Sequence, residues 1–387
     1  MKENEDKEAM IQALLPKTSG RKTEDDEFLS CSYKNLIFGT LLLLGGLLYL
    51  QVANTSSCQY TLSIVAPAYG YQSDTVPQIP AEPSWIKEET EETEEKICTP
   101  KDLVGALAIN FDMSKVEERY KEMAVENQEY FENGEHLPKD CEVAPKKNIA
   151  IIIPFRDMTA DLFRTKQFHY FLYYIVPILH RQNNHFAVYL VNQANDGSPF
   201  NRAKLLNIGF DVAKDDGFDC FFFHDVDLVP ENDKNIYECL DTPRHYSGYI
   251  DKFNYKLPYN TIFGGITAFT AEAFEKINGY SNEYWGWGGE DDDLERRTIG
   301  GAKYKLVRPS PQITRYKMIK HDHETSNKPN PNRVKLLKAW NKHNQFDGLN
   351  SLNYELIERN NEVFYKNITV DLKYEERIPL QELLGNG

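Results

Sequence analysis

Residues 221–230, Phe-Phe-Phe-His-Asp-Val-Asp-Leu-Val-Pro, leave this chain few choices of fold. The run is apolar, too short for a comfortable helix and closed by a proline, which predicts a buried central strand. Asp225 and Asp227, one residue apart, fall where that strand leaves its sheet. In open α/β sheets, ligands sit in the crevice beyond the carboxyl ends of the strands. Two carboxylates there are hard oxygen ligands suited to Mn²⁺ or Mg²⁺, and such a metal suits a diphosphate. An isolated Asp-x-Asp more often caps a turn, so the assignment depends on what else the chain brings to the crevice.

The preceding segments supply it. Lys147 to Pro154 is a basic residue followed by a continuous β-branched run, the pattern of a buried parallel strand, with Phe155 and Arg156 at its end. Helical apolar spacing follows from about Asp161 to Arg181, then a second strand over His185 to Asn192. Phe200, Asn201 and Arg202 open a further helix whose apolar face runs from Ala203 to Val212. Strand, helix, strand, helix, strand is the order of a nucleotide-binding α/β half. Its strand ends gather Phe155, Arg156, Phe200, Arg202, Asp225 and Asp227. An aromatic ring and a guanidinium at each of two strand ends suit a base and phosphates.

Downstream, Trp285-Gly286-Trp287-Gly288-Gly289 runs into Glu290-Asp291-Asp292-Asp293. Glycines let backbone approach a ligand, and Trp faces stack on sugar rings. Adjacent carboxylates raise one another's pKa, which suits a general base, while acids also favour a helix N-terminus. Met318 and His321 add a thioether and an imidazole; a lone histidine is usually structural, but beside an Asp-x-Asp strand His321 becomes a candidate metal ligand.

The ends of the chain bound its surroundings. A length of 387 residues with 41% hydrophobic content allows one large domain or two ordinary ones. A net charge of −15 argues against a general nucleic-acid binder. Residues 1–34 are polar and without periodicity, a disordered tail. Residues 35–53 are an apolar run with basic residues ahead of it, predicting one transmembrane signal-anchor in type II orientation. Residues 54–96 carry prolines and then an acidic run, an extended stem, so the folded catalytic portion is expected over residues 97–387. Cys98, Cys141, Cys220 and Cys239 form an even set that suggests two disulfides in an oxidising lumen, of which three pairings are possible and proximity favours Cys98–Cys141 and Cys220–Cys239. Asn367-Ile368-Thr369 is a glycosylation sequon.

Taken together, FNRAKLLNIGF (200–210), FHDVDLVPENDKNIYEC (223–239), FGGITAFT (263–270), WGWGGEDDDL (285–294) and MIKHDHETSNKPNPNR (318–333) resemble the animal β-1,4-galactosyltransferase family (glycosyltransferase family 7) from about Cys98 to the end of the chain. The resemblance implies a Golgi type II enzyme with a GT-A, Rossmann-like α/β domain, using a UDP-sugar and Mn²⁺. It implies transfer to the 4-hydroxyl of a terminal N-acetylglucosamine (GlcNAc) with inversion at the donor carbon. By the same resemblance, Asp227, Met318 and His321 would hold the metal. Pro154, Phe155, Arg156, Phe200, Asn201, Arg202, Asp225, Val226, Lys252, Ile262 and Trp287 would meet the donor. Gly289, Glu290, Asp291, Asp292 and Arg333 would form the acceptor site, with Asp291, beside Glu290, as the base. The pairing Cys98–Cys141 and Cys220–Cys239 is also what the family implies. Thioether sulfur is a soft ligand for Mn²⁺, so Met318 rests on the resemblance alone.

Two departures stand out. The family's P-F-R-x-R begins here as Pro154-Phe155-Arg156-Asp157-Met158, and Arg164 replaces the second arginine if Met158 to Phe163 is an insertion. Where the galactosyl enzymes carry tyrosine before Phe-Gly-Gly, this chain has Ile262. Losing the phenol leaves room for an acetamido group, as in the invertebrate β-1,4-N-acetylgalactosaminyltransferase branch, whose nematode members build glycosphingolipids. The expected donor is UDP-N-acetylgalactosamine (UDP-GalNAc) and the acceptor a GlcNAc-terminated glycolipid or glycoprotein. The alternatives are a UDP-galactose enzyme and a catalytically weak GlcNAc-binding homologue.

Overall fold

In the computed structural model the described residues are 40–43, 46–54, 60–65, 98–139, 141, 147–158, 162–320 and 327–385. The β-branched run after Lys147 forms β1 (Ile149–Phe155) and the next apolar run forms β2 (Phe186–Gln193). The phenylalanine run forms β3 (Cys220–His224), which ends just before Asp225, close to where the strand was expected to leave its sheet. Asp225-Val226-Asp227 makes a turn, and β4 (Leu228–Pro230) enters a second, three-stranded sheet. There β4 lies on an edge, where a proline without an N–H is tolerated. The remaining strands of interest are β5 (Ile266–Thr270), β6 (Arg315–Met318), β7 (Glu355–Asn361) and β8 (Lys366–Asp371).

The main sheet has the spatial order Arg244–His245, β5, β3, β1, β2, β8, β7, with a short hairpin (Phe131–Glu132, Glu135–His136) on β2. Strands β3, β1, β2 and β8 are parallel, so their carboxyl ends share one edge; β5 and β7 flank them antiparallel. Parallel strands buried on both faces need continuous apolar runs, which is what β1 carries. Its side chains alternate between two cores. Ile149, Ile151 and Ile153 share a cluster with Phe168, Phe171, Leu172 and Ile175, whereas Ala150 and Ile152 share one with Leu205, Leu206 and Phe210.

Three helices frame the sheet: α1 (Val116–Asn127), α2 (Phe163–Arg181) and α3 (Arg202–Asp215). Asn201 caps α3, its side chain accepting from Lys204 N at 2.9 Å and donating to the Asn282 carbonyl at 2.7 Å. The helix lies so close to the sheet that a Cβ on Gly209 would come within 2.2 Å of Ile152 Cγ2. Gly209→Ala sets a helix-propensity gain of about 1 kcal/mol against overpacking of about 1–3 kcal/mol. The second term wins at that distance, so the variant is expected to unfold at a lower denaturant midpoint. A raised midpoint would show that the helix can move off the sheet.

Both disulfides form as expected, Cys98–Cys141 and Cys220–Cys239. Asn367 lies in β8, half-buried and flanked by β2 and β7, so a glycan there would have to be attached before the sheet closes. The chain divides into residues 1–90 and 91–387. In the first unit, Thr40–Leu43, Gly46–Asn54 and Tyr60–Val65 pair as antiparallel strands. The helix expected over residues 35–53 is thus replaced by strands in its described parts, and the rest lies outside the described residues. An apolar run has no period that separates the two states, and only a bilayer makes the helix obligatory. Among the described residues no helix is long and apolar enough to cross a membrane.

Candidate active site

The shared carboxyl edge of the parallel strands opens into a cleft of about 370 Å³. Pro154, Phe155 and Arg156 reach it from the end of β1, and Phe200 and Arg202 from the start of α3. Asp225, Val226 and Asp227 reach it from the turn after β3, with Lys252, Ile262, Trp287, Glu290, Asp291 and Met318 from later segments. Chain segments more than 150 residues apart in sequence therefore meet at one strand edge, as the α/β pattern demands.

The two aspartates of the turn differ. Asp225 takes two hydrogen bonds on one oxygen from Arg202, from Nε at 2.8 Å and Nη2 at 2.7 Å. Burial pushes its carboxyl up, Arg202 pulls it back down, and Asp227 adds to the rise. Asp227 is held by strand pairing instead. β6 runs antiparallel to β4 with Met318 opposite Leu228, and Ile319 N donates to the Asp227 carbonyl at 2.8 Å. Both Asp227 and Met318, the latter three residues before His321, line the cleft. Among the described residues no group of three or more His, Cys, Asp or Glu could hold a metal. The set proposed from the sequence does not require one, because it contains a thioether and because His321 lies outside the described residues. The donor set that remains fits a divalent cation in kind, one hard carboxylate with one soft neighbour.

Arg156 lies over the Phe200 ring at 5.2 Å and donates to the Ser198 carbonyl at 2.9 Å, so guanidinium and aromatic ring form one platform. Arg164, in the first turn of α2, also lines the cleft, although its sequence position lies eight residues beyond Arg156. It thus shares the cleft with Arg156, as a replacement for the missing arginine of P-F-R-x-R requires.

The acidic run begins a short helix, α4 (Glu290–Glu295), as the helix-start reading required, yet its first two acids also face the cleft. Gly264, from the segment before β5, packs so tightly on Asp291 that a Cβ there would lie 2.4 Å from its Oδ2. Burial first and Asp291 second push Glu290 up to about 7; burial and Asp292 likewise push Asp291 up. Arg202 lies 3.8 Å from Glu290, too far for a hydrogen bond. Asp292 instead accepts from the Tyr259 hydroxyl at 2.8 Å.

Trp287 stands 54% exposed at the mouth. Its backbone bonds the 327–332 segment on both sides, Trp287 N to the Lys328 carbonyl at 2.9 Å and Asn330 N to the Trp287 carbonyl at 3.0 Å. Gly286 (φ 95°) permits this approach, since a Cβ would meet the Lys328 carbonyl at 2.6 Å. Arg333 lies over the Trp287 ring at 5.4 Å. Gly289, Asp292 and Arg333 border the cleft without lining it, and Asn201 is a fully buried cap that does not reach it. Sequence reasoning missed Phe253, Gly265 and Asn327 in the lining and Tyr259 beside Asp292. Of these Gly265 and Asn327 carried a signal, in the motifs FGGITAFT (263–270) and MIKHDHETSNKPNPNR (318–333).

Comparison with known proteins agrees with this geometry. Residues 98–240 match the N-terminal region of glycosyl transferase group 7, and residues 244–322 the N-terminal domain of galactosyltransferase. The chain is 42% identical over 275 residues to β-1,4-galactosyltransferase 2 of Cricetulus griseus, covering 70% of this chain and 71% of that protein. It is 43% identical over 271 residues to β-1,4-galactosyltransferase 1 of Homo sapiens, covering 70% and 65%. The catalytic domain of Drosophila β-1,4-galactosyltransferase 7 in complex with xylobiose superposes with a TM-score of 0.50 at 28% identity, over 59% of this chain and 94% of that one. A mutant of that enzyme in complex with manganese, UDP-Gal and xylobiose superposes equally well. A cleft built at the carboxyl edge of a GT-A-like α/β sheet, with motifs and matches that agree along most of its folded length, makes this chain a glycosyltransferase belonging to the β-1,4-galactosyltransferase family.

Proposed function

We propose that the chain transfers N-acetylgalactosamine from UDP-GalNAc to the 4-hydroxyl of a terminal GlcNAc, with inversion, on glycolipid or glycoprotein acceptors. The observation that carries the donor choice is Ile262, which lines the cleft together with Gly264 and Asp291. A tyrosine in its place would put a phenol beside the donor's 2-substituent; isoleucine leaves space and apolar surface there. Uridine and diphosphate are assigned to Phe155, Arg156, Phe200, Arg202, Val226 and Lys252, with Arg164 as a further cation.

Asp291 is the general base. Its half-buried carboxylate receives the acceptor's proton as the 4-oxygen attacks the anomeric carbon from the face opposite the departing UDP. Asp225 and Arg202 fix each other beside Glu290, so the polar groups near the donor sugar are oriented before it arrives. Trp287 and the 327–332 segment, joined by backbone hydrogen bonds, move as one lid and exclude water. Asp227, Met318 and His321 would hold Mn²⁺, which when bound neutralises charge on the leaving diphosphate. The manganese and UDP-Gal complex of the Drosophila relative supports that assignment.

Ile262→Tyr is expected to shift the ratio of kcat/KM for UDP-GalNAc over UDP-galactose toward galactose by roughly 10–200-fold, the range one pocket contact sets. Product masses from a GlcNAc-terminated acceptor incubated with each UDP-sugar measure it, and an unchanged ratio would reduce Ile262 to a packing residue. The second reading, a UDP-galactose donor, draws on the relatives named as galactosyltransferases; the wild-type ratio in the same assay decides between them. A non-catalytic GlcNAc-binding role had only the altered P-F-R-x-R in its favour, and Arg164 in the cleft weakens that.

A Golgi location in type II orientation belongs to the same reading. Two disulfides persist where thiols are not kept reduced, and residues 35–53 offer the apolar run for an anchor.

A further inference from the structure

The segment 260–264 carries the donor-facing wall, yet it belongs to no strand and its carbonyls have no sheet partners. Three of them are held by side chains. Arg308 donates from Nη2 to the carbonyls of Asn260 at 3.0 Å and Ile262 at 2.6 Å. Its Nε donates to His245 Nδ1 at 2.9 Å. His245 Nε2 then meets the Gly264 carbonyl at 2.8 Å, a carbonyl that also accepts from Ser247 Oγ at 2.9 Å.

The chemistry fixes the tautomer. A guanidinium only donates, so Nδ1 must accept, the ring proton sits on Nε2, and Nε2 donates to Gly264. Burial first and the neighbouring Arg308 second hold this imidazole neutral, its pKa pushed down to about 3. Carbonyl 260, in a turn, and carbonyls 262 and 264, in the irregular stretch that follows, are therefore held by the arginine–imidazole pair, with Ser247 joining it at 264. The backbone around the pair confirms that it is seated. His245 N donates to the Val307 carbonyl at 2.9 Å, tying the chain before Arg308 to the edge of the main sheet. Phe263, fully buried, packs against the His245 ring at 5.8 Å. On the opposite side, Gly264 abuts the Asp291 carboxylate and Ile262 lines the cleft.

We propose that Arg308 and His245 are specificity-positioning residues: their hydrogen bonds set where Ile262 meets the donor sugar and where Gly264 seats Asp291. Neither touches substrate; they act through the three carbonyls. The proposal rests on the reading that Ile262 faces the donor's 2-substituent. It differs from a plain structural role because a shift of about 1 Å in this wall is felt in kcat and in donor choice, by up to ~100-fold, rather than in nucleotide affinity.

The test is a double-mutant cycle on the full-length chain, measuring kcat and KM with UDP-GalNAc and with UDP-galactose, and the inhibition constant of UDP. Arg308→Met is expected to lower kcat for the preferred donor by roughly 10–100-fold with the UDP inhibition constant unchanged. In that background Ile262→Tyr should shift the donor ratio much less than it does alone. His245→Gln, which can still donate toward Gly264, should fall between wild type and His245→Phe. If Arg308→Met does not fold, Arg308→Lys and His245→Gln carry the same cycle. Additive effects on the donor ratio, with His245→Gln and His245→Phe alike, would overturn the proposal while leaving the Ile262 reading intact. Failure of Ile262→Tyr alone to move the ratio would instead strike that reading, and this proposal with it.

Discussion

Asp291→Asn is expected to lower kcat by roughly 10²–10⁴-fold, the usual contribution of a positioned general base, while UDP affinity stays unchanged. The substitution is isosteric, so Gly264, packed against that carboxylate, keeps its place and the nucleotide end of the cleft is untouched. What disappears is the carboxylate's negative charge and, with it, the capacity to take a proton. The wild-type pH profile should carry the same signature. A base is inactive when protonated, so kcat/KM falls as pH drops through its pKa. Burial and Asp292 raise that pKa, and the limb should therefore lie above the ordinary aspartate range. Glu290, pushed up to about 7, titrates with it, so the limb belongs to the pair and is broadened. The residual rate of Asp291→Asn should lose this limb. Near-normal turnover in the variant would pass the role of base to Glu290, which shares the cleft.

The parts of the fold that were legible in the sequence are those where one physical demand acts alone. β1, β2 and β3 are buried on both faces, so each had to be a continuous apolar run; β1 and β2 were found within a residue or two and β3 within three. Where two demands compete, local pattern gave way. Residues 221–230 look like one strand because hydrophobicity continues past Asp227, but the carboxylates force a turn and the chain re-enters a different sheet. The acidic run served two purposes at once, and only the three-dimensional arrangement separates Glu290 and Asp291 in the cleft from Asp292, turned to Tyr259, and Asp293, fully buried. Arg164 could be named from the sequence only on the condition of an insertion, since spacing along the chain does not report whether a residue eight positions beyond Arg156 reaches the same cleft, which it does. His245 and Arg308 carried no local signal at all: they lie 63 residues apart and act on backbone carbonyls, which no side-chain pattern marks.

Asp227→Asn should abolish the dependence of UDP binding on Mn²⁺ and, with it, transfer. Losing a mere outer-shell partner of a metal ligand already costs roughly 10–100-fold in affinity, so loss of the one anionic oxygen among Asp227, Met318 and His321 should exceed about 100-fold. Neither remaining ligand compensates, because a thioether is soft and an imidazole neutral, while the cation and its diphosphate demand hard, charged oxygen. Asp225 cannot step in either. It lies two residues away, but both hydrogen bonds from Arg202 converge on one of its oxygens, and swinging it toward a cation would break them and leave that guanidinium half-buried without its partner. The measurement is UDP affinity by calorimetry, with Mn²⁺ and with chelator. In the wild type chelation should weaken binding and stop transfer; in Asp227→Asn the two isotherms should coincide at the weaker value. If the variant still binds UDP more tightly with Mn²⁺, the cation is gripped elsewhere, and the pairing of β4 with β6 beside the cleft serves the sheet rather than the reaction.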